Sequence, residues 1–255
     1  MNSSDLLRLD GKVALVTGSA QGLGRAIAVC LAQSGCSLAL ADLVDPEETA
    51  RQVSEAGSSS ISLRADVSDE IQVKSMVDKA ISEYKKVDIL VNNAGISQLS
   101  FTATEDLPIE EWDKILAVNL RGTFLCCKHV GKQMIASGGG SIVNISSTAG
   151  ITGVVRAPAY CASKAGTILL TKSLALEWAR YHIRVNAIAP HYLETELTKG
   201  LRASEKVYDG LARQIPLRRF AKPEEIVGTV LLLSSPASSY ITGSVNVVDG
   251  GYLAQ

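Results

Sequence analysis

Tyr160 and Lys164 stand four residues apart in Tyr160-Cys161-Ala162-Ser163-Lys164, a spacing that sets both side chains on one face of a helix. A phenol with an unperturbed pKa of ~10 is a poor base at neutral pH, whereas an ammonium held beside it favours the phenolate. Proton exchange with a substrate oxygen is the chemistry such a pair could do, although exposed helical pairs share the spacing. A second group lies earlier, where Thr17-Gly18-Ser19-Ala20-Gln21-Gly22-Leu23-Gly24 joins an apolar run to a helical one. Main-chain amides and the helix dipole at such a junction can face an anion, and a pyrophosphate would fit. Asp42 follows about 20 residues after the last of these glycines, where a dinucleotide fold places the carboxylate that bonds the adenosine ribose hydroxyls. That carboxylate repels a 2′-phosphate, and no Lys or Arg stands at Ser19, Ala20, Gln21 or Leu43 to neutralise one. The residues therefore predict NAD(H) as cofactor rather than NADP(H).

For these groups to meet, strands must carry them to one edge of a sheet. Short apolar runs at 12–17, 37–41, 60–65, 87–91, 141–145, 183–189 and 244–248 read as seven strands. Apolar-periodic stretches at 23–33, 46–56, 70–84, 108–136, 159–181 and 223–233 read as the helices between them. Strands that are apolar on both faces are buried on both, which is the mark of a parallel sheet between helix layers. The expected fold is α/β, a Rossmann-like doubly wound seven-stranded parallel sheet, in a single domain because no linker divides the chain. Residues 195–220 depart from the rhythm and carry Lys199, Arg202, Lys206, Arg213, Arg218 and Arg219. Their place after the sixth strand suggests a substrate lid at about 191–220, with a solvated helical excursion as the alternative.

Composition narrows the partners. The 255 residues carry 25 Lys and Arg against 26 Asp and Glu, for a net charge of −1, and 46% are hydrophobic. This is the balance of a folded chain with no broad positive field for nucleic acid or an anionic membrane. No apolar run approaches the ~20 residues that span a bilayer. Residues 1–10 lack the basic and apolar regions of a secretory signal, so a cytoplasmic location is expected. Cys30, Cys36, Cys126, Cys127 and Cys161 show no paired spacing and read as reduced thiols. His129 and His182 lack neighbouring ligand patterns, and no metal is expected.

The spacing T-G-x-x-x-G-x-G is joined by Asn92-Asn93-Ala94-Gly95 after the fourth strand, Asn119 in the long helix and Ser146-Ser147 after the fifth strand. With Tyr160-x-x-x-Lys164 and Val248-Asp249-Gly250-Gly251-Tyr252, this order resembles the short-chain dehydrogenase/reductase family over residues 9–252. The resemblance implies hydride transfer between nicotinamide and a secondary alcohol or ketone. It implies Tyr160 as general acid/base to the substrate oxygen, and Lys164 as the group that lowers its pKa and binds the nicotinamide ribose. Ser147 would hydrogen-bond the same oxygen, and is chosen over Ser146 because the family serine usually lies thirteen residues before the tyrosine. Asn119 would hold water in a proton relay through Lys164, or serve only to stabilise backbone. In the cofactor site Gly18, Gln21, Gly22, Leu23 and Gly24 form the phosphate turn, and Asp66 and Val67 meet the adenine. Asn93, Ala94 and Gly95 line the cleft; after Pro190, Leu193 and Thr195 bond the nicotinamide carboxamide.

One position departs from the family pattern: His191 follows Pro190 where glycine is usual. Either His191 tolerates the turn, or it projects toward substrate as a selectivity contact. The family likeness also implies a homotetramer, with 108–136 and 159–181 packing across one interface and the C-terminal strand region forming another. The pattern resembles 3-oxoacyl-carrier-protein reductases, gluconate-type dehydrogenases and carbonyl reductases equally. A small polyol, sugar acid or ketone is the expected substrate; 3-oxoacyl-thioester reduction is the alternative, weakened by Asp42. A dinucleotide-binding sensor or scaffold without turnover is a reading of another class, and the presence of Asn119, Ser147, Tyr160 and Lys164 together argues against it.

Overall fold

The computed structural model describes residues 6–98 and 102–255; the first five residues of the 1–10 stretch read for a signal lie outside them. Seven parallel strands form one sheet: β1 Val13–Thr17, β2 Ser37–Asp42, β3 Ser60–Arg64, β4 Ile89–Asn92, β5 Gly140–Ile145, β6 Ile183–Pro190 and β7 Val245–Val248. Their order is β3-β2-β1-β4-β5-β6-β7. The chain runs outward from β1 to β3 and returns to β1's other side as β4, so the carboxyl ends of β1 and β4 flank the switch point where such sheets bind ligands.

Alternate residues of one strand feed two cores. Ala14 and Val16 pack with Ile27 and Leu31 of α1 (Gly22–Gln33), Val53 of α2 (Glu47–Glu55) and Val230 of α9 (Glu224–Ser234). Leu15 points the other way, to Val73 and Val77 of α3 (Glu70–Tyr84), Val130 of α5 (Thr123–Ser137) and Trp178 of α6 (Pro158–Trp178). Burial on both faces is why the inner strands β1, β2 and β4 read as apolar runs, whereas the edge strands β3 and β7 are only partly buried.

Two expected elements differ in detail. The stretch 108–136 is not one helix: α4 (Ile109–Leu116) passes through a π-helical turn, Ala117–Gly122, before α5. Within this widened turn Asn119 makes hydrogen bonds to Ile96 that a periodicity pattern does not register. The segment 195–220 holds two short helices, α7 (Lys199–Arg202) and α8 (Glu205–Ala212). Its base is closed where Leu193 bridges Ala221 and the Glu194 amide donates to the Ala221 carbonyl at 2.9 Å.

Candidate active site

At the switch point the two central strands are stapled together. The Thr17 hydroxyl accepts hydrogen bonds from the Asn93 and Ala94 amides, each at 3.1 Å, and Asn93 Nδ2 donates to the carbonyls of Thr17 at 3.0 Å and Gly18 at 2.9 Å. Gly18 has φ +66°, and a Cβ there would lie 2.9 Å from the Ala94 Cα, so the turn requires glycine. Asn93 and Ala94 thus fix the turn's shape. Gln21 makes no side-chain cap to α1, and the helix has no acidic residue in its first turn. The amides at Gly22, Leu23 and Gly24 therefore keep the donors and dipole that suit a phosphate. Thr195 faces this turn, its Cβ 3.5 Å from where a Cβ on Gly22 would stand.

Asp42 ends β2 and accepts from the Ala20 amide at 2.9 Å and the Val44 amide at 3.3 Å. Two arginines outside the four positions considered from sequence stand near it. Arg64 is the register partner of Asp42 on β3 and donates to the Leu43 carbonyl at 3.0 Å, and Arg25 donates to the Ala20 carbonyl. Strand pairing, which depends on the fold, was the signal needed to find Arg64. Asp66 Oδ1 accepts from the Ser68 amide at 2.8 Å and hydroxyl at 2.7 Å, while Val67 is buried against Gly122 of the π turn. Pro190 closes β6, and the Leu193 carbonyl accepts from the Thr195 amide at 3.0 Å and from the Thr198 hydroxyl.

The titratable pair lies on α6. Tyr160 is half-buried, with its phenol close enough to Ser147 to be influenced by it, and the Ser147 Oγ accepts from the Ala149 amide at 3.1 Å. Ser146 turns away and donates to the Lys164 carbonyl at 2.9 Å, leaving Ser147 alone against the phenol. Lys164 is 5% exposed; its Nζ donates to the Ile145 carbonyl at 2.9 Å and lies 5.7 Å from the Tyr160 ring centre. Burial raises the Tyr160 pKa above its ordinary value, opposed by its interaction with Ser147, and the Lys164 ammonium donates to a main-chain carbonyl. Burial also pushes Lys164 down to about 8.

Asn119 clamps the segment after β4. Its Oδ1 accepts from the Ile96 amide at 2.8 Å, and its Nδ2 donates to the Ile96 carbonyl at 2.9 Å and the Ser163 hydroxyl at 3.1 Å. Ser163 in turn donates to the Tyr160 carbonyl at 2.8 Å. Gly95 fits between, where a Cβ would stand 3.3 Å from Asn119 Oδ1 and 3.5 Å from Lys164 Nζ. Beneath α6, a ladder that the sequence reading missed runs from Asn92 Nδ2 to Asn144 Oδ1 at 2.8 Å, and from Asn144 Nδ2 to the Thr171 hydroxyl at 2.9 Å.

His191 sits beside this cluster. Its backbone lies outside the left-handed region, so this position needs no glycine. The imidazole stacks on Tyr252 with centroids 3.9 Å apart and packs against Tyr192 at 4.3 Å, and its Nδ1 is 2.7 Å from the Thr148 hydroxyl. Tyr192 stacks on Phe220 at 4.9 Å, and Phe220 meets Tyr208 of α8 at 4.8 Å. The basic residues of 195–220 are largely engaged within the segment and its base: Lys199 pairs with Glu196, Arg219 with Glu225, and Arg202 donates to the Thr195 carbonyl. Among the described residues no cluster of His, Cys, Asp and Glu could hold a metal ion, and no helix is long and apolar enough to cross a membrane.

Comparison with known proteins agrees with this architecture. Residues 18–253 match the family model described as enoyl-(acyl carrier protein) reductase. The chain is 42% identical over 252 residues to the D-threitol dehydrogenase of Mycolicibacterium smegmatis, covering 96% of this chain and 94% of that one. It is 41% identical over 242 residues to the NAD-dependent glycerol dehydrogenase of Listeria innocua, covering 94% and 93%. A gluconate 5-dehydrogenase from Burkholderia cenocepacia, solved in complex with NADP and tartrate, is 34% identical and superposes over 100% of both chains with a TM-score of 0.94. The chain belongs to the short-chain dehydrogenase/reductase family and is an oxidoreductase of the alcohol/ketone type.

Proposed function

We propose that this protein is an NAD(H)-dependent dehydrogenase that interconverts a small secondary alcohol, such as a polyol or sugar acid, with its ketone. The observation that carries this reading is the placement of Ser147 beside Tyr160, on a helix whose same face holds buried Lys164, next to a glycine turn with free helix-terminal amides. When bound, the dinucleotide donates or accepts the hydride. Tyr160 exchanges the proton at the substrate oxygen, and Ser147 hydrogen-bonds that oxygen and stabilises the charge that develops on it. Lys164, with its pKa brought to about 8, changes charge near neutral pH and suits proton passage and a ribose hydroxyl. Asn119 acts here as the clamp on Ile96 and Ser163.

For the cofactor, Gly18, Gln21, Gly22, Leu23 and Gly24 would hold the pyrophosphate, Asp42 the adenosine ribose, and Asp66 and Val67 the adenine. Asn93, Ala94, Gly95, Tyr160, Lys164, Pro190, Leu193 and Thr195 would line the nicotinamide side. Asp42 supports NAD, as does the name of the glycerol dehydrogenase relative; the gluconate 5-dehydrogenase structure bound NADP, and Arg64 and Arg25 are the residues through which this chain could accept it. Residues 195–220 serve as the lid over the substrate. Five free thiols support a cytoplasmic setting, and the apolar outer faces of α5 and α6 support a homotetramer.

Two measurements test the reading. Tyr160→Phe abolishes oxidation of secondary alcohols while NADH binding, followed by fluorescence, stays within a few-fold of wild type; near-normal turnover removes Tyr160 from the role. The kcat/KM for NADH exceeds that for NADPH by at least tenfold, about 1.4 kcal/mol, and the reverse order would overturn the role given to Asp42.

A further inference from the structure

Ser147 stands at the head of the short turn Thr148–Gly150, and the bonds that shape this turn are local. Ser147 Oγ accepts from the Ala149 amide at 3.1 Å and its carbonyl from the Gly150 amide at 2.9 Å, while the Thr148 carbonyl accepts from the Ile151 and Thr152 amides at 2.9 Å. Local bonds keep a turn's shape; its place in the molecule is set by what it meets elsewhere. On one side Gly150 packs against α6. On the other, the Thr148 hydroxyl lies 2.7 Å from Nδ1 of His191, forty-three residues further along the chain, and the Thr148 side chain is 2% exposed. A hydrogen bond shielded from water in this way holds its geometry firmly.

The imidazole that holds Thr148 is itself braced. It stacks on Tyr252 with centroids 3.9 Å apart and planes 13° from parallel, packs against Tyr192 at 4.3 Å, and its own amide donates to the Val248 carbonyl at 3.3 Å. Tyr252 lies in the C-terminal turn, whose shape is fixed by the Asp249 carboxylate accepting from the Gly251 amide at 2.8 Å and the Leu253 amide at 2.7 Å. That turn is tied to the base of 195–220, where the Leu217 amide donates to the Gly250 carbonyl at 3.2 Å. The glycine usual at position 191 could make none of the side-chain contacts, and the backbone there does not require one. A histidine at this position adds a rigid strut between the turn of Ser147 and the end of the chain.

We infer that His191 is a positioning residue for the reaction: through its hydrogen bond to Thr148, and braced by Tyr252, it holds the turn that presents Ser147 to the substrate oxygen. The role is one of placement exerted through Thr148, distinct from contact with the substrate. Reacting groups need placement to within a fraction of an ångström, and the residues that lock them carry part of the rate. The inference rests on the reading of Ser147 and Tyr160 as the carbonyl site and adds to it the group that keeps Ser147 in register.

The test measures kcat and the KM for NAD, with 2,3-butanediol, 2-butanol and gluconate as alcohols, in wild type, Thr148→Val, Thr148→Ser, His191→Phe and the Thr148→Val/His191→Phe double variant, and repeats the two single substitutions in Ser147→Ala. Val keeps the shape of Thr148 and removes the hydroxyl; Phe keeps a ring on Tyr252 and removes the nitrogens. Thr148→Val and His191→Phe should each lower kcat about tenfold with the KM for NAD changed less than about twofold, and the double variant should fall no further than either single, because both act through one bond. Thr148→Ser should keep most of the wild-type kcat. In Ser147→Ala neither substitution should lower kcat by more than about twofold, since the residue they place is gone. The chain has three histidines, so the imidazole signals of His191 are assigned by their loss in His191→Phe, and its Nδ1 resonance should move in Thr148→Val. Unchanged kcat in both singles, additive losses in the double variant, equal losses in Ser147→Ala, or an Nδ1 resonance that stays in place would each overturn the inference while leaving the carbonyl site intact. A Ser147→Ala variant with wild-type kcat, or a wild type that oxidises none of the alcohols, removes the carbonyl reading and the inference with it.

Discussion

Lys164 is a buried ammonium with a single carbonyl partner, which gives its charge a measurable effect on stability. Its pKa is about 8 in the folded chain against an ordinary value of 10.5. Below about pH 8 it is protonated folded and unfolded, and the folded state bears the full cost of burying the charge. From there to pH 10.5 the unfolded chain binds more protons, so this contribution makes stability rise with pH. Lys164→Met should therefore be more stable than wild type at pH 7 by about 3 kcal/mol, with the gap closing toward pH 10, as read by chemical denaturation. A gap that stays constant with pH would mean that burial of charge is not its source. The helical spacing of Tyr160 and Lys164 shows in the sequence, because it is local. The Ile145 carbonyl that receives Nζ does not, because it belongs to the end of β5 and meets Lys164 only once the sheet has formed. His191 was visible as a departure from pattern, yet its companions Thr148, Tyr192 and Tyr252 come from three separate connections at the sheet's edge, and two of them had no motif to mark them.

What sets Ser147 against Tyr160 is the contact between two elements. The turn Thr148–Gly150 lies directly on α6, and a Cβ on Gly150 would fall 2.7 Å from the Lys164 carbonyl carbon. Gly150→Ala should lift the turn by a few tenths of an ångström or more and draw Ser147 from the phenol. The expected outcome is a fall in kcat of at least about tenfold with little change in NADH affinity, since misplacement on this scale is costly in a preorganised site. An unaltered kcat would show that the turn can yield without moving Ser147. The helix α6 is itself anchored from below by Asn92, Asn144 and Thr171, buried polar residues whose partners lie on three different elements. Strands and most helices could be placed from periodicity, but the break of 108–136 at Ala117–Gly122 could not, because the hydrogen bonds of Asn119 there run to Ile96 and Ser163 on other segments of the chain.

Across the whole molecule, large apolar residues are left exposed on several elements, α5 and α6 among them. Phe124 on α5 is 44% exposed, and Leu169 and Leu176, seven residues apart on α6, are 66% and 84% exposed. Under the proposed homotetramer this stripe is a subunit contact. Leu169→Glu with Leu176→Glu should reduce the mass seen by light scattering to a smaller species than wild type, and an unchanged mass would place the subunit contacts elsewhere. The sheet class was readable because strands buried on both faces are apolar throughout, whereas this face was legible only as long apolar helices, since exposure depends on which side meets the sheet. The interior position of β1, with β2 on one side and β4 on the other, also bears on how the chain is made. Ala14 finds its second neighbour in Ile89, seventy-five residues later. At ~5–20 residues per second, the ribosome leaves this interior strand with an open edge for roughly 4–15 s. For that interval a half-paired, largely apolar strand depends on chaperones or on speed, and codon usage between residues 17 and 89 becomes a determinant of yield.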